Sequence, residues 1–452
     1  MTAYGRSIRE DARLDASRHR CWLPAATAGL LVALLGSADT PLAAADWPRF
    51  LGPNGRAIAA TDRPPLKWSD SQNLRWKAEL PGAGASSPII AGGRVFVTSY
   101  SGYGAGFDGR MEDLKRHLSC FDAETGKLLW QQTIPAELPE DPYQGFLTEH
   151  GYASNTPVTD GERVFAFFGK SGVWAFDTGD GKRLWHTDVG HESSNRRWGS
   201  AASPILFENL VIVNASEESQ SIRALDKNDG HEVWRAEAAL LELAYSTPAV
   251  GKSADGREEL VVGTPGEVWG LNPRTGKLLW YAEAPFSGNL TPSVIIEGDV
   301  AYLFGGFRGS GSIAVRLGGS GDVTDSHVLW TSRESSYVAT PVLYQGHFYW
   351  IDDRGIAHCM DTKTGRNVYQ TRVALDAASR RGRPVYASPV VADGRVYVVT
   401  RLGGTVVLPA APKYELLAVN RFADDSMFNG TPAVWKNRLY LRSDRALYCV
   451  GE

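Results

Sequence analysis

Cysteine is scarce in this chain, and the spacing of its cysteines matches no common metal-binding motif. Four cysteines occur among 452 residues, and no two of them are adjacent or form a CxxC pair. This argues against a disulfide-rich scaffold and against the paired-cysteine zinc motifs. An excess of charge of one sign is also missing, because 47 basic residues face 51 acidic ones and the formal net charge is −4. A mildly acidic chain does not favour nucleic-acid binding.

Familiar catalytic and metal-binding motifs are missing as well. The sequence has no HExxH, no recognisable Ser-His-Asp order and no glycine-rich loop that opens a predicted helix. The stretch "GFRGSGSIAVRLGGSG" at 306–321 lies on a predicted hairpin, so we do not expect it to bind phosphate. Asp177 and Asp180 in "DTGDG" recur as Asp226 and Asp229 in "DKNDG", which indicates turn capping rather than a calcium loop. No metal site is predicted.

Residues 1–45 have the features of a signal peptide. A net-positive stretch ending in "SRHR" precedes the apolar run "CWLPAATAGLLVALLG", and "PLAAADW" offers small residues at Ala43 and Ala45. We predict cleavage before Asp46 and export to the periplasm or the extracellular space. An uncleaved membrane anchor is the alternative, since residues 21–38 carry no charge. No cysteine follows the predicted cleavage point directly, so a lipid anchor is not expected.

A repeat dominates the rest of the chain. Ser/Thr-Pro dipeptides, or close equivalents, recur every 43–49 residues, except for a spacing of 69 between the first two. The prolines are Pro88, Pro157, Pro204, Pro248, Pro292, Pro341, Pro389 and Pro432. A period of this length is typical of the four-stranded blades of a β-propeller. Eight openings predict eight blades.

The local pattern within a unit predicts four antiparallel strands. In "SPVVADGRVYVV" (388–399) two apolar runs are joined at Asp393-Gly394, a dipeptide that suits a tight hairpin turn. A third turn carries a glycine in five units, at Gly126, Gly181, Gly230, Gly276 and Gly365. No segment after residue 46 has a convincing long helical period. The predicted class is therefore all-β.

An aromatic residue ends the fourth strand of most units, in strings such as "TGKLLW". These residues are Trp130, Trp185, Trp234, Trp280, Trp330 and Tyr369, and Trp76 in "NLRWKAEL" belongs to the same set. A buried tryptophan removes roughly 150–250 Å² from water. Because the residue recurs in so many units, we predict that it docks each blade onto its neighbour.

Cysteines also fall at corresponding points of the repeat. Cys120, Cys359 and Cys449 occupy the place where other units have a small residue such as Ala175 or Ala224. We predict three buried thiols held apart on separate blades.

The combination of "TGKLLW" with "SP…GRVYV" resembles the repeat of the pyrroloquinoline-quinone-like (PQQ-like) β-propellers. The opening "DWPRFLGPNGRAIA" further resembles secreted bacterial members of that family that are described as BamB-like. The resemblance covers about residues 66–452. It implies an eight-bladed propeller, and it implies no single function, because the fold serves enzymes, scaffolds and binding proteins.

Ring closure can be predicted from the two ends of the repeat region. The last unit, "GTPAVWKNRLYLRSDRALYCVGE", contains only three strands, and "NLRWKAEL" (73–80) supplies a fourth. Pairing them leaves no open edge in the last blade. We therefore predict a signal peptide at 1–45, an N-terminal extended segment at 46–65 and one propeller domain at 66–452.

Ligands of propellers usually bind at the mouth of the central channel, on the loops that lead into each innermost strand. These loops are aromatic and polar here, and the candidate binding residues are His150, Tyr152, Arg197, Trp198, Glu242, Tyr245, Asn289, Tyr337, Arg383 and Tyr386. The alternative is that their rings plug the mouth. Two elaborations of the first unit, at 99–116 and 134–152, are either functional or tolerated insertions.

The sequence favours a monomeric, non-catalytic scaffold with an envelope or extracellular protein partner. The competing hypothesis is a PQQ-dependent oxidoreductase, and a third is a carbohydrate- or polymer-binding propeller. The quinone enzymes that the repeat resembles use calcium and usually an adjacent cysteine pair, and neither set of residues can be placed in this chain. No cofactor is therefore expected, with PQQ and calcium belonging only to the oxidoreductase hypothesis.

Overall fold

A computed structural model describes residues 46–307, 309–375 and 382–452. The predicted signal peptide at 1–45 lies outside these residues. The described residues form an eight-bladed β-propeller, with one sheet per blade and four antiparallel strands in each. The predicted fold class is thus confirmed.

Two strands precede the first blade, β1 (Ile58–Ala59) and β2 (Leu74–Glu79). From the channel outward, the first two blades contain β3 (Ile89–Ala91), β4 (Arg94–Ser101), β5 (Lys115–Asp122), β6 (Leu128–Pro135), and then β7 (Val158–Thr159), β8 (Arg163–Phe167), β9 (Val173–Asp177), β10 (Arg183–Thr187). The next two contain β11 (Ile205–Phe207), β12 (Leu210–Ala215), β13 (Ser221–Asp226), β14 (Glu232–Glu237), and then β15 (Ala249–Lys252), β16 (Glu258–Thr264), β17 (Glu267–Leu271), β18 (Leu278–Glu283).

The fifth and sixth blades contain β19 (Ile295–Glu297), β20 (Val300–Gly305), β21 (Gly311–Arg316), β23 (Val328–Ser332), and then β24 (Val342–Tyr344), β25 (His347–Ile351), β26 (Ile356–Asp361), β27 (Asn367–Arg372); β22 (Gly321–Asp322) joins the fourth blade. The seventh contains β28 (Val390–Ala392), β29 (Arg395–Thr400), β30 (Gly404–Pro409) and β31 (Ala418–Asn420). The eighth contains β32 (Ala433–Trp435), β33 (Arg438–Arg442) and β34 (Ala446–Val450).

Helices are short in the described part of the chain. The 3₁₀ helices are Met111–Asp113, Gly145–Glu149, Gly169–Ser171 and Ala239–Leu241, and the α-helices are Ser216–Ser219 and Thr324–His327. None of them is long or apolar enough to cross a lipid bilayer.

The ring closes through the strand that precedes the first blade. β2 pairs antiparallel with β34, with Trp76 opposite Cys449 and Glu79 opposite Ala446. The eighth blade is therefore built from both ends of the propeller region, as the sequence predicts.

The repeated tryptophans lie between neighbouring blades. The indole N–H of Trp76 donates to the carbonyl of Ala123 at 3.1 Å, and its ring covers Gly126. A Cβ on Gly126, which has a φ of +71°, would lie 2.6 Å from that ring. The same arrangement joins Trp130 to Thr178 and Gly181, Trp185 to Lys227 and Gly230, Trp234 to Pro273 and Gly276, and Trp330 to Thr362 and Gly365. The glycine thus makes the turn and also leaves room for the tryptophan of the preceding blade.

Two members of the aromatic set differ from this arrangement. Trp280 is fully buried against the fifth blade, but its indole N–H donates to Glu259 of its own blade at 2.7 Å. The reason is a longer connection in the fifth blade, from which β22 pairs in parallel with β18. Tyr369 contacts Tyr414 of the seventh blade, with ring centroids 5.9 Å apart.

A second ring of contacts surrounds the channel. Each blade contributes one hydroxyl at the start of its innermost strand, and the backbone N–H of each such residue donates to the hydroxyl oxygen of the next blade at 2.8–3.3 Å. The members of this hydroxyl ring are Ser87, Thr156, Ser203, Thr247, Ser293, Thr340, Ser388 and Thr431. Thr431 donates to Ser87, so the ring is closed.

The hydroxyl ring corrects one predicted blade opening. In the fifth blade the ring residue is Ser293, and Val294 follows it where the other blades have proline. Thr291-Pro292, which the repeat spacing suggested, lies two residues too early. The pattern misled because a Thr-Pro dipeptide precedes the true ring position by two residues.

Residues 46–65 pack inside the channel of the propeller. The backbone of Trp47 pairs with Ile90 of β3 at 2.7 and 2.8 Å, and β1 pairs in parallel with β28 of the seventh blade. Between these contacts, Arg56 forms an ion pair with Glu297 of the fifth blade. This N-terminal segment therefore crosses the channel beside the innermost strands, on the side of the hydroxyl ring that faces away from the mouth.

The two first-blade elaborations are shorter than predicted. Residues 99–101 and 115–116 extend β4 and β5, and residues 134–135 extend β6. The strands of this blade are longer than a repeat average suggests, which leaves 102–114 and 136–152 as the connecting segments.

The three thiols within the propeller are free and buried. Burial raises the pKa of Cys120, Cys359 and Cys449 to about 12 each. They are therefore protonated at neutral pH and behave as small apolar residues, as predicted.

Candidate functional site

The channel contains a cavity of about 120 Å³ at the level of the hydroxyl ring. All eight blades contribute to its wall, so it lies on the axis of the propeller. Its lining comprises Phe50, Ala85, Phe146, His150, Ser154, Thr156, Trp198, Ala201, Ser203, Tyr245, Thr247, Asn289, Thr291, Ser293, Val338, Thr340, Tyr386, Ser388, Asn429 and Thr431. Seven of the eight ring hydroxyl residues are among them.

Aromatic rings close the cavity on the loop side. Phe146 lies at the centre, with its ring centroid 5.1 Å from Trp198, 6.0 Å from Tyr337 and 6.1 Å from Tyr386. Trp198 also stacks on Tyr245 at 6.3 Å. We call this group of rings the aromatic roof. On the opposite side, Phe50 of the N-terminal segment lines the cavity.

Phe146 belongs to the second first-blade insertion, which crosses the channel mouth. Its 3₁₀ helix, Gly145–Glu149, is held at its C-terminal end by the seventh blade and the loop after it. The Glu149 carboxylate pairs with Arg401 at 2.7 Å, and the Asn429 amide donates to the Glu149 carbonyl at 3.0 Å. Gly145–Glu149, here called the strap, therefore lies over the mouth, with Phe146 among the rings of the roof and Glu149 fixed to the seventh blade.

His150 fixes the strap to the neighbouring loop. Its Nε2 lies 2.9 Å from the Trp198 carbonyl, which requires an N–H at that nitrogen, and Nδ1 accepts from the Ser154 hydroxyl at 2.6 Å. Burial lowers the pKa of His150 to about 4. The imidazole is therefore neutral at neutral pH, and both of its nitrogens are used within the protein.

Stability should fall between pH 6.5 and 4 because His150 is buried in its neutral form. The unfolded chain binds a proton on this residue near pH 6.5, and the folded chain resists it until about pH 4. We expect His150 to account for about 1–3 kcal/mol of that loss. Urea unfolding of the parent and of His150→Gln at pH 7 and pH 4.5 measures it. An equal loss in both proteins would contradict the assignment.

Asn289 lines the cavity and has an unused hydrogen-bond acceptor. The residue is 5 % exposed, and its Nδ2 donates to the Thr291 hydroxyl at 3.3 Å. Its Oδ1 is buried without a hydrogen-bond partner among the described residues. A buried acceptor of this kind is costly unless a ligand or a water molecule satisfies it.

The predicted rim residues do not form one surface. His150, Trp198, Tyr245, Asn289 and Tyr386 line the cavity. Tyr337 joins the aromatic roof from above, where the Arg383 guanidinium lies 4.2 Å from its ring centroid.

Tyr152 lies in a separate buried cluster. Its hydroxyl donates to the Asp141 carbonyl at 2.6 Å, and its ring packs against Tyr100. Arg197 and Glu242 lie at the outer surface of the mouth, where Arg197 is exposed and the Glu242 carboxylate accepts from the Asn195 N–H at 3.0 Å. These residues lie at different distances along the sequence from the proline of their unit, so their side chains reach different places in the loops.

Sequence reasoning missed three contributors to the cavity. Phe146 is a single aromatic residue inside an insertion with no repeat counterpart, and Phe50 reaches the channel only because residues 46–65 turn inward. The hydroxyl ring left a clear signal, since a serine or threonine precedes the proline in nearly every unit.

The cavity wall carries no ionised side chain in the described ranges. Aspartate, glutamate, lysine and arginine are missing from its lining, and His150 is neutral because its pKa is lowered to about 4. A fixed charge is therefore not available for binding an ionised ligand.

These residues do not fit PQQ or calcium. The quinone is a rigid polycarboxylate, and the cavity of about 120 Å³ lies below the ~300–1,000 Å³ typical of pockets for ligands of that size. Among the described residues, one group of three potential ligands meets within metal-binding reach, at Asp226, Asp229 and His231. It lies in an outer turn, where Asp226 and Asp229 accept backbone N–H bonds.

A family model described as "Outer membrane protein assembly factor BamB" matches residues 111–214, 196–371 and 321–421. The chain belongs to this family of PQQ-like β-propellers. The family resemblance expected from the repeat is thereby confirmed.

Relatives of this PQQ-like propeller include BamB of Yersinia pestis, which is 25% identical over 348 residues, or 64% of this chain and 81% of the relative. The crystal structure of BamB from Moraxella catarrhalis superposes with a TM-score of 0.57 at 14% identity, covering 83% of this chain and 99% of that one. A europium-containing methanol dehydrogenase gives 0.60 at 12% identity, covering 88% and 89%. The two structures show the shared fold alone.

Proposed function

We propose that this PQQ-like propeller is an exported, non-catalytic scaffold that binds a protein partner in the bacterial envelope. The supporting observation is its similarity to BamB of Yersinia pestis, whose name describes an outer membrane protein assembly factor. The proposal includes removal of residues 1–45, which N-terminal sequencing of exported protein tests. A chain that retains those residues would contradict that part.

The face that carries the strap is the proposed partner surface. Long connections such as 102–114, 136–157 and 188–204 lie on this face, whereas the connections between third and fourth strands, including the longer segment 317–327 of the fifth blade, lie on the other. Arg197 is exposed there, at a φ of +52°, and the neighbouring Arg196 guanidinium lies 5.8 Å from the Trp198 ring centroid. Arginine beside an aromatic ring is a combination enriched in protein interfaces.

Site-specific crosslinking tests the proposed surface. A photoreactive residue at Arg197 should capture an envelope protein of outer-membrane assembly when the protein is expressed in its native cell. The matched control is Lys127, an exposed residue in the turn between β5 and β6 on the opposite face. Equal capture at both positions, or capture at neither, would count against this surface.

A quinoprotein oxidoreductase is the second candidate, and the fold shared with a methanol dehydrogenase favours it. The uncharged cavity wall and the closed aromatic roof argue against the oxidoreductase. We expect no dye reduction when the protein is incubated with PQQ, calcium and alcohols or aldoses. Saturable quinone binding together with substrate-dependent dye reduction would replace the scaffold proposal by the enzyme.

A further inference from the structure

The hydroxyl ring supplies a set of hydrogen-bond donors to the cavity. Each ring hydroxyl accepts a backbone N–H from the preceding blade, so its own proton must be donated elsewhere. No protein acceptor for these protons is found in the ranges that the structure describes. The ring residues are only 1–4 % exposed, and seven of the eight line the cavity, so the cavity is where those seven protons can be used.

Asn289 adds an acceptor at the same level. Its Oδ1 has no partner within the described chain, and the residue lines the cavity together with the ring residues Thr247 and Ser293. A ligand that both donates and accepts hydrogen bonds satisfies this set, whereas an aliphatic ligand leaves it unpaired.

The charge and the size of the cavity restrict the class of ligand further. The wall has no ionised group among the described residues, so an anion or cation would lose its hydration without compensation. Phe146, Trp198, Tyr245 and Tyr386 of the aromatic roof line the cavity and offer apolar ring surface to C–H groups. An apolar cavity of about 150 Å³ holds one benzene molecule, with its six heavy atoms, so a cavity of about 120 Å³ fits a ligand of similar or slightly smaller size.

From this geometry we infer that the central cavity binds a small uncharged polyol of about the size of glycerol, beneath the strap. The hydroxyl ring donates to the polyol oxygens, Asn289 accepts from one polyol hydroxyl, and Phe146 covers the carbon chain. The site lies beneath the proposed partner face, but polyol binding needs no protein partner, so either proposal can fail without the other.

The strap is the gate of this site. Phe146 covers the cavity, and the strap is held at its far end by the Glu149–Arg401 ion pair and by the Asn429 amide. The side chain of Glu149 is 37% exposed, so the ion pair can open into water. Weakening it by Glu149→Gln should speed both entry and release of the polyol more than it changes the affinity.

Ligand-observed NMR on the full-length protein, purified without glycerol, tests the inference. Glycerol should give saturable binding in the millimolar range, and propane-1,3-diol and 1-propanol should bind progressively more weakly as hydroxyls are removed. Glycerate, which adds a carboxylate, should bind at least tenfold more weakly than glycerol. A missing glycerol signal, or 1-propanol or glycerate binding as tightly as glycerol, would overturn the inference.

A variant locates the bound polyol. Asn289→Leu should reduce the glycerol affinity at least tenfold, whereas Asn367→Leu, the same substitution at an exposed position of β27, should leave it unchanged. Circular dichroism checks that both variants are folded. Should Asn289→Leu fail to fold, the ligand series on the parent protein decides alone, and parent-like affinity in folded Asn289→Leu would place the binding elsewhere.

Discussion

A chain that lacks Leu66–Leu80 should aggregate or lose most of its stability. The deletion removes β2, the only strand that pairs with the outer edge of β34 among the described residues. It also removes Trp76, whose ring packs on Gly126 of the first blade. Burial of one tryptophan alone is worth up to about 4–6 kcal/mol. The open edge of β34 would also invite pairing with other chains. Size-exclusion chromatography and calorimetry compare the deletion with the parent.

Addition of a peptide corresponding to 66–80 provides the control for this deletion. If β2 acts through pairing with β34, the peptide should restore part of the melting temperature in trans. A deletion variant that melts like the parent would show that the eighth blade is stable with three strands.

Trp280→Ala should lower the free energy of unfolding by about 3–5 kcal/mol. Trp280 is fully buried, so the truncation leaves a cavity between the fourth and fifth blades. It also removes the indole N–H from the Glu259 carboxylate, which is itself fully buried and keeps Arg257 and the Gly318 N–H as partners. Urea titration followed by fluorescence measures the change.

Two further variants separate the contributions of volume and hydrogen bonding. Trp280→Phe keeps most of the volume and should cost about 1–3 kcal/mol for the lost donor to Glu259. Trp130→Ala removes the same residue type from a half-buried docking position and should cost less than Trp280→Ala. If Trp130→Ala lowered the free energy of unfolding more than Trp280→Ala does, the burial of the tryptophan would not determine its contribution to stability.

The repeat made the propeller predictable because its physical causes are local and periodic. Tight turns and alternating strands recur in every unit, and a docking aromatic residue recurs in most of them. Closure by β2 followed from counting strands in the last unit. Trp280 shows the limit of this reasoning. Its string matches the others, yet its indole is redirected because the next blade has a longer connection, which no single unit reveals.

The cavity was harder to predict because nonrepetitive residues complete it. Phe146 and Phe50 reach the channel from an insertion and from the N-terminal segment, and neither has a counterpart in the other units. The rim residues were selected by type and by distance from proline, and this criterion does not distinguish Tyr386, on the cavity wall, from Tyr152, in a neighbouring cluster. Side-chain direction in an irregular loop depends on tertiary packing.

The closed hydroxyl ring changes how this repeat array should fluctuate. A linear array of repeats has two terminal units with one neighbour each, and it frays from those units first. Here every blade has two neighbours at the channel, and all eight N–H groups donate in the same rotational sense, so opening any blade breaks two links. The amide protons of the ring residues should therefore exchange with solvent only through global unfolding, and their protection should report one common free energy of opening.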